Sequence, residues 1–118
     1  MLAKSNRITS GNDYKAVVRR GYRVVGPHTV AYLRKNPDGN PARFGFIVAK
    51  NIGGAVVRNV VRRRMKAASF QLLPFVPPGT DIVIRALPGS EGVPWATLHS
   101  EISDALNAGS IGLSRKKS

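Results

Sequence analysis

The 118-residue chain is strongly basic, with 19 lysines and arginines against 6 acidic residues and a formal net charge of +13. This excess predicts a polyanionic partner and favours nucleic acid over an anionic membrane. The chain contains no cysteine, which excludes disulfide bonds and thiolate zinc sites. No apolar window approaches the roughly 18 residues of a membrane-spanning helix, and the N-terminus lacks the apolar core of a signal peptide. We therefore expect a single soluble domain in the cytoplasm.

The first predicted element is a short helix with one apolar face. Tyr14, Val17 and Val18 recur at the i, i+3, i+4 spacing that places side chains on one side of a helix. A basic arm containing Lys4 and Arg7 precedes this helix. Aromatic residues at such spacing usually belong to the core. We therefore expect Tyr14 in the core or at its edge, from where an exposed ring could stack on a base.

Two strands are predicted after this helix. The first is clearest over residues 29–34 and the second spans residues 44–49, and both contain β-branched and aromatic residues. Residues 36–41, NPDGNP, form the densest turn signal in the chain. The combination predicts a β-hairpin over residues 29–49.

A cationic helix is predicted after the glycine pair Gly53-Gly54. The pair lacks the spacing of a phosphate-binding P-loop, so we interpret it as a source of positive φ or of close backbone approach. On a helical wheel at about 100° per residue, one narrow arc of the helix is apolar. This arc predicts the core stripe Val57, Val61, Met65, Ala68 and Leu72.

The flank of this stripe carries the positive charge of the helix. Its residues recur at i, i+4 and i+8 or lie beside that row: Arg58, Asn59, Arg62, Arg63 and Lys66. Like charges at this spacing repel by a few tenths of a kcal/mol per pair, which a polyanionic partner offsets. A solvated helix usually interleaves both signs, but no acidic residue lies between Asp38 and Asp81. We therefore interpret this flank as a binding face for a polyanion.

The last third of the chain predicts a strand and a helix. Residues 81–86 form the third main strand, and the final helix has Pro94 in its first turn and ends at Gly109. Its apolar stripe is Leu98, Ile102, Ala105 and Leu106. Residues 110–118 are expected to be a disordered basic tail, so the single domain spans residues 1–109. The element order α-β-β-α-β-α indicates an α+β fold, a two-layer sandwich of helices and a small, mostly antiparallel sheet.

The sequence contains no catalytic constellation. His28 and His99 stand alone, and the 6 carboxylates form neither a D-x-D motif nor a metal-ligand spacing. Glu101 and Asp104 share a helical face that we expect in solvent. We therefore predict no catalytic residue, no metal site and no cofactor bound by the protein itself, and we assign any chemistry to a partner.

Residues 50–63, KNIGGAVVRNVVRR, resemble the signature of the bacterial ribonuclease P protein component, which typically reads K-K-x-G-x-A-V-x-R-N-R-x-K-R. Other motifs of that family resemble four further stretches of the chain, residues 6–8, 13–21, 43–48 and 81–86. The resemblance covers residues 6–87 well and reaches the last helix only by pattern.

The match departs from the family pattern within and just before this segment, and also at Tyr14, where the family has a phenylalanine in the first helix. Val60 replaces the second arginine of the R-N-R motif, while Ala49 and Asn51 stand where the family has a serine and the second lysine. We expect Val60 at a partly buried flank of the helix. Arg64 is expected to extend past Val60 toward solvent and partly to replace the missing cation.

The resemblance implies a function and a site. Ribonuclease P removes the 5′ leader of precursor tRNA, its RNA subunit is the catalyst and uses bound Mg²⁺, and its small basic protein binds that RNA and the leader. By position, the implied RNA-subunit face consists of Lys50, Arg58, Asn59, Arg62 and Arg63. The implied leader cleft consists of Tyr14, Val17, Val18 and Tyr32. The resemblance also implies a left-handed β-α-β crossover.

The expected partners are therefore ribonuclease P RNA and precursor tRNA, without a membrane and without a protein oligomer. One alternative stays open, a non-enzymatic ribosomal or other structural RNA-binding protein. A cationic module for anionic membranes is disfavoured, because the chain has no amphipathic helix rich in Trp and Lys.

Overall fold

Helices and strands alternate along the chain. The computed structural model describes residues 2–36 and 39–115, with side chains described as far as residue 113. The strands are β1 Tyr22–Val25, β2 Thr29–Lys35, β3 Arg43–Ile47 and β4 Thr80–Ala86. The α-helices are α1 Gly11–Arg20, α2 Ala55–Leu72 and α3 Trp95–Arg115. Short 3-10 turns occupy Lys4–Asn6, Lys50–Ile52, Leu73–Phe75 and Ser90–Gly92.

The four strands form a mostly antiparallel sheet in the spatial order β1-β2-β4-β3. β2 is antiparallel to both β1 and β4, whereas β3 is parallel to β4. Because β3 and β4 are neighbouring parallel strands joined through α2, they form a β-α-β unit. The predicted α+β fold is confirmed, and β1 is an additional strand in the predicted element order. The left-handed sense of the crossover stays a prediction.

The predicted hairpin over residues 29–49 is wrong, because β4 lies between β2 and β3. Residues 82–84 of β4 are fully buried. A strand that is apolar on both faces is stabilised at the centre of a sheet, where other layers cover both sides. The local hairpin joins β1 to β2 instead, and the Gly26 N–H donates to the Thr29 carbonyl across its turn at 2.8 Å. Residues 37–38 of the predicted turn lie outside the described residues.

Helices cover both faces of this sheet. α2 and α3 pack on one face, in a large apolar cluster that includes Leu33, Phe44, Val61, Ile82 and Leu98. α1 packs on the opposite face, in a smaller cluster that includes Ile8, Val17, Val30, Tyr32 and Val83. Neighbouring residues of one strand fall into different clusters because side chains alternate across a pleated strand. α1 thus adds a partial third layer to the two layers that the sequence predicts.

The apolar stripe predicted on α2 faces the sheet. Its buried members are Val61, Met65, Ala68 and Leu72. Val57, in the first turn of the helix, is 38% exposed instead. The rotation of α2 about its axis therefore agrees with the helical wheel, and its cationic flank lies beside the buried stripe as predicted.

α3 does not end at Gly109 as predicted. A Cβ at Gly109 would collide with the side chain of Leu33, and a Cβ at Gly112 would collide with the ring of Tyr22. Both glycines therefore allow close packing of the helix on β1 and β2. They lie within the helix and do not end it. The predicted disordered tail is helical as far as residue 115, and its last three residues lie outside the described residues.

A buried ion pair fastens α1 to the sheet. Asp81 on β4 accepts hydrogen bonds from Arg43 on β3, from Nε at 2.9 Å and from Nη2 at 2.7 Å. The remaining nitrogen of this guanidinium, Nη1, donates to Asp13 on α1 at 3.4 Å. The hydrogen bond to Asp81 is the main reason that the pKa of Arg43 is raised above its ordinary value. One guanidinium therefore joins α1, β3 and β4.

A second carboxylate fastens α3 to the turn between β1 and β2. Glu101 is predicted to lie in solvent, but its side chain is only 10% exposed. It accepts hydrogen bonds from the His28 backbone N–H at 3.0 Å and from the Thr29 hydroxyl. His28 Nδ1 lies 3.0 Å from its other oxygen. The helical face that Glu101 shares with the exposed Asp104 is thus only partly in solvent.

Candidate nucleic-acid interface

A glycine turn shapes the start of α2. Gly53 has a φ of 153°, a conformation that other residues rarely adopt, and a Cβ there would lie 2.9 Å from Val57 Cγ1. Both reasons anticipated for the glycine pair, positive φ and close approach, therefore apply at Gly53. The turn connects the exposed Lys50 to the cationic helix within a few residues.

The five residues predicted for the RNA-subunit face lie on α2 and on the turn before it. Lys50, Asn59 and Arg63 are exposed, whereas Arg58 and Arg62 are partly buried. Arg62 Nη1 donates to Asn59 Oδ1 at 3.0 Å, which links neighbouring turns of the helix. The structure thus presents cations and one amide along a connected part of the surface.

Arg58 contributes a hydrogen-bond donor that the protein does not use. Its Nε is buried and has no hydrogen-bond partner within the described part of the chain. An unsatisfied buried donor costs about 1–3 kcal/mol, more when it is charged. A phosphate oxygen from a partner would supply the acceptor that this nitrogen needs.

Arg64 does not extend toward solvent as the sequence predicts. Its Nη1 donates to the carbonyl oxygen of Val93 at 2.9 Å and lies 3.4 Å from that of Glu91. The guanidinium is held there because these carbonyls, in the loop before α3, lie within its reach. Val60 is partly buried, as expected. Arg64 is therefore engaged within the protein and is not a free replacement for a cation at position 60.

Tyr14 packs tightly against β3. Its hydroxyl oxygen accepts a hydrogen bond from the Phe46 backbone N–H at 3.1 Å. A Cβ at Gly45 would lie 2.6 Å from Tyr14 Cε1, so only glycine allows the ring to approach the strand this closely. The ring is fixed at the edge of the core and is partly exposed.

The other three residues of the predicted leader cleft lie in the same apolar cluster as Tyr14. Val18 is partly exposed, but Val17 is fully buried and Tyr32 is only 5% exposed. The guanidinium carbon of Arg85 lies 5.7 Å from the centroid of the Tyr32 ring, a cation–π arrangement. Of these four residues, Tyr14 alone lines one of the cavities of the described chain, while Val17 and Tyr32 lie in the core and Val18 lies at its partly exposed edge.

An open cavity joins Tyr14 to the cations of α2. Its volume is about 210 Å³, and its lining consists of Arg7, Ile8, Thr9, Tyr14, Phe44, Phe46, Arg62 and Lys66. No acidic residue contributes to this lining. Aromatic side chains beside cations form the kind of surface that binds single-stranded nucleic acid, by stacking on bases and pairing with phosphates.

Six residues of this cavity are absent from the RNA-subunit face and the leader cleft that the resemblance implies, namely Arg7, Ile8, Thr9, Phe44, Phe46 and Lys66. Lys66 continues the row of Arg62 at i+4 and belongs to the cationic flank that the helical spacing predicts. Arg7 comes close only because the N-terminal arm pairs with Phe44 of β3 in a parallel bridge, a contact that no local pattern shows.

Residues 2–36 and 39–115 contain neither a metal cluster nor a membrane-spanning helix. No group of three or more His, Cys, Asp or Glu side chains in this part of the chain could hold a metal ion. Among the helices described, none combines the length and the apolar character that a membrane crossing requires.

The fold and the site define a class of protein, a small basic α+β protein whose cationic helix flanks an aromatic cleft. The family model for ribonuclease P matches residues 2–108. The chain belongs to the ribonuclease P protein family, as the motifs of residues 50–63 indicate.

Two relatives illustrate this membership. The chain is 54% identical over 106 residues to the ribonuclease P protein component of Clavibacter michiganensis subsp. michiganensis, covering 90% of this chain and 94% of the relative. It is 40% identical over 107 residues to that of Acidothermus cellulolyticus, covering 90% and 89% respectively. The chain therefore spans nearly the whole length of these relatives.

Solved structures share the fold. The Staphylococcus aureus RNase P protein has a TM-score of 0.78 at 23% identity, covering 89% of this chain and 95% of that one. The Thermotoga maritima RNase P protein has a TM-score of 0.75 at 22% identity, covering 85% and 94%. At this level of identity the likeness concerns the fold alone.

Proposed function

We propose that this chain binds the ribonuclease P RNA through the cationic face of α2. We propose that it binds the 5′ leader of precursor tRNA through the cavity that Tyr14, Phe46 and Arg62 line, which we call the Tyr14 cleft. Family membership gives the coarser role, that of a subunit of the ribonuclease P ribonucleoprotein in tRNA 5′ maturation. The alternative role of a ribosomal or other structural RNA-binding protein is not favoured, because the relatives bear the name of the ribonuclease P component.

The proposed RNA-subunit contact is supported by charge that the protein leaves uncompensated. The salt bridges of the described residues involve Arg43 and His28, and none involves Arg58, Arg62 or Arg63. Arginine pairs well with phosphate because its planar guanidinium offers several donors in a fixed geometry. The buried Nε of Arg58 adds a specific need for an external acceptor.

The proposed leader contact depends on the cavity that Tyr14 and Phe46 share with Arg7, Arg62 and Lys66. This cavity is the observation that carries the proposal, because it places base-stacking surface and phosphate-binding charge within one open groove. Such a groove suits an unpaired strand, whose bases are free to stack on aromatic side chains. The leader is an unpaired strand that precursor tRNA carries and mature tRNA lacks.

We assign the chemistry to the RNA subunit and its bound Mg²⁺, and no catalytic role to protein side chains. The carboxylates in the protein interior have structural partners, since Asp81 pairs with Arg43 and Glu101 holds the backbone of His28. We also propose that the protein acts as a monomer in the cytoplasm, because a net charge of +13 opposes self-association.

The test is leader removal at low Mg²⁺. A ribonuclease P RNA and a precursor tRNA are incubated with and without the purified protein, at a Mg²⁺ concentration where the RNA alone is slow. The proposal predicts that the protein accelerates removal of the leader. An unchanged rate with the protein bound to a ribosomal RNA instead would support the alternative.

A further inference from the structure

A second cavity lies on the other side of the cationic row of α2. Its volume is about 500 Å³, and its lining consists of Leu2, Arg7, Arg63, Lys66, Ala67, Phe70 and Gln71. The α2 residues follow one another at i, i+3, i+4, i+7 and i+8 from Arg63, so they form one continuous stripe of the helix. Leu2 and Arg7 of the N-terminal arm form the opposite wall.

The chemistry of this cavity suits a single nucleotide. Phe70 is 46% exposed although it is a large aromatic residue, and it provides a flat apolar surface beside Ala67. Three cations, Arg7, Arg63 and Lys66, surround this surface, and no acidic residue contributes to the lining. A base stacked on the ring and a phosphate beside the cations would satisfy both parts of the cavity. An apolar peptide would leave the three positive charges without partners.

The wall formed by the arm is held in place by the sheet. The Ile8 backbone N–H donates to the Phe44 carbonyl at 2.9 Å, and Asn6 Nδ2 donates to the Ala42 carbonyl at 2.8 Å. Leu2 is buried and belongs to the main apolar cluster. The cavity is therefore a preformed feature, and a bound nucleotide need not order the arm.

The two cavities adjoin, because Arg7 and Lys66 line both of them. A strand that stacks on Tyr14 can pass between these two cations, which would pair with its phosphates, and then reach Phe70. This continuity favours one strand occupying both cavities over two unrelated RNA segments.

We propose that the Phe70 cavity is a second leader subsite, which takes an unpaired base of the same strand that occupies the Tyr14 cleft. This inference rests on the proposed function, because it requires that the leader be bound by the protein. It adds a distinct pocket in which Phe70 is the stacking residue. It also adds the pair Arg7 and Lys66, between which the strand would pass.

The experiment uses the assembled protein–RNA complex and precursor tRNAs with one abasic nucleotide at each leader position in turn. With the wild-type protein, removal of a base is expected to weaken binding roughly 5- to 150-fold at two separate groups of positions. Phe70→Leu should abolish the sensitivity at one group and preserve it at the other. Tyr14→Leu should show the opposite pattern.

Two further variants are controls. One keeps an aromatic ring at position 70, and the other removes an exposed aromatic residue outside the cavity. Phe70→Tyr keeps the ring and should keep both groups of sensitive positions. Phe75 is 81% exposed and lines a different cavity that has no Lys or Arg in its lining, so Phe75→Leu should resemble the wild type. A Phe75→Leu protein that loses the same positions as Phe70→Leu would overturn the assignment.

The outcomes also separate this inference from the proposed function. If Phe70→Leu weakens binding equally for precursor and leaderless tRNA, or has no effect at any leader position, the second subsite does not exist. If the wild-type complex shows no sensitivity at any leader position, the proposed leader contact itself is wrong, and the second subsite fails with it.

Discussion

Single residues of α2 divide into cations that the protein uses and cations that it leaves available. Arg64 donates to backbone carbonyls of the loop before α3, so its charge contributes to the structure. Arg58, Arg62 and Arg63 take part in no salt bridge of the described chain. This division predicts which substitutions change RNA binding and which change stability.

Replacing Arg58, Arg62 and Arg63 together by alanine should weaken binding of the RNA subunit and leave the thermal melt nearly unchanged. Each arginine that no longer pairs with a phosphate should reduce the slope of log affinity against log salt by about 0.7–0.9. Binding titrations at several salt concentrations, with circular dichroism melts, provide the measurement. The matched control is Arg64→Ala, which should lower the melting temperature more than it lowers affinity. A large loss of stability in the triple variant with unchanged binding would show that the three arginines form a structural cluster.

Val60 is the position where this chain lacks a cation of the family motif. Val60→Arg should fold with little change in melting temperature, because the residue is only partly buried on the flank of α2. The added charge should tighten RNA binding slightly and raise the salt slope by about one unit, since Arg64 does not fill this role. Melting and RNA affinity at two salt concentrations measure both effects. A strongly destabilised protein would mean that Val60 belongs to the core.

Among the elements, β3 and β4 are joined by the guanidinium of Arg43, which also reaches Asp13 on α1. Arg43→Met should destabilise the protein by about 3–5 kcal/mol, because the buried Asp81 would lose its charged partner and keep the neutral hydrogen bond from Asn36 Nδ2 at 3.3 Å. Urea unfolding measures this change, and Arg43→Met combined with Asp81→Leu should recover part of it. Equal stabilities of the single variant and the wild type would show that Asp81 finds another partner.

The pH dependence of the stabilisation by Arg43 follows from the direction in which its pKa is shifted. The pKa of Arg43 is raised in the folded state, so the stabilisation is fully present below the ordinary pKa of an arginine side chain. It is lost only as the pH rises through the folded pKa. This arginine should therefore contribute no change in stability between about pH 5 and 9.

Local periodicity predicted the helices better than it predicted the sheet. The stripe of α2 from Val61 to Leu72 is buried as the wheel indicates. Strand order depends on which strand is covered on both faces, a property of the assembled protein, so the hairpin of residues 29–49 was wrong. The prediction that α3 ends at Gly109 is wrong for a similar reason. A glycine that leaves room for the Leu33 side chain cannot be told in sequence from one that ends a helix.

The residues of the candidate site likewise divide into those that local sequence patterns predict and those that only tertiary contacts bring to the surface. The α2 cations and Tyr14 follow from spacing and from the family motifs. Phe46, Arg7 and Phe70 join the surface only through contacts between the N-terminal arm, β3 and α2, which are distant in sequence. The engagement of Arg64 likewise depends on a loop that follows β4.

At the scale of the whole molecule, the charge of +13 surrounds two surfaces with different tasks. The arginines of α2 are proposed to hold the RNA subunit, and the cavity at Tyr14 is proposed to hold the leader. The surfaces meet at Arg62, which carries charge on the helix face and also lines the cavity. This proximity would place the leader beside the RNA that cleaves it. The contribution of base stacking at Tyr14 to leader binding can still be measured separately from the contribution of the positive charges.

The affinity of the assembled complex for precursor tRNA relative to mature tRNA tests this separation most directly. Tyr14→Leu keeps apolar bulk but removes the ring, so it should weaken precursor binding by about 1–3 kcal/mol and leave mature tRNA binding unchanged. The protein should still assemble with the RNA subunit at wild-type affinity. Equal losses for precursor and mature tRNA, or a loss of assembly alone, would contradict the assignment of the Tyr14 cleft to the leader.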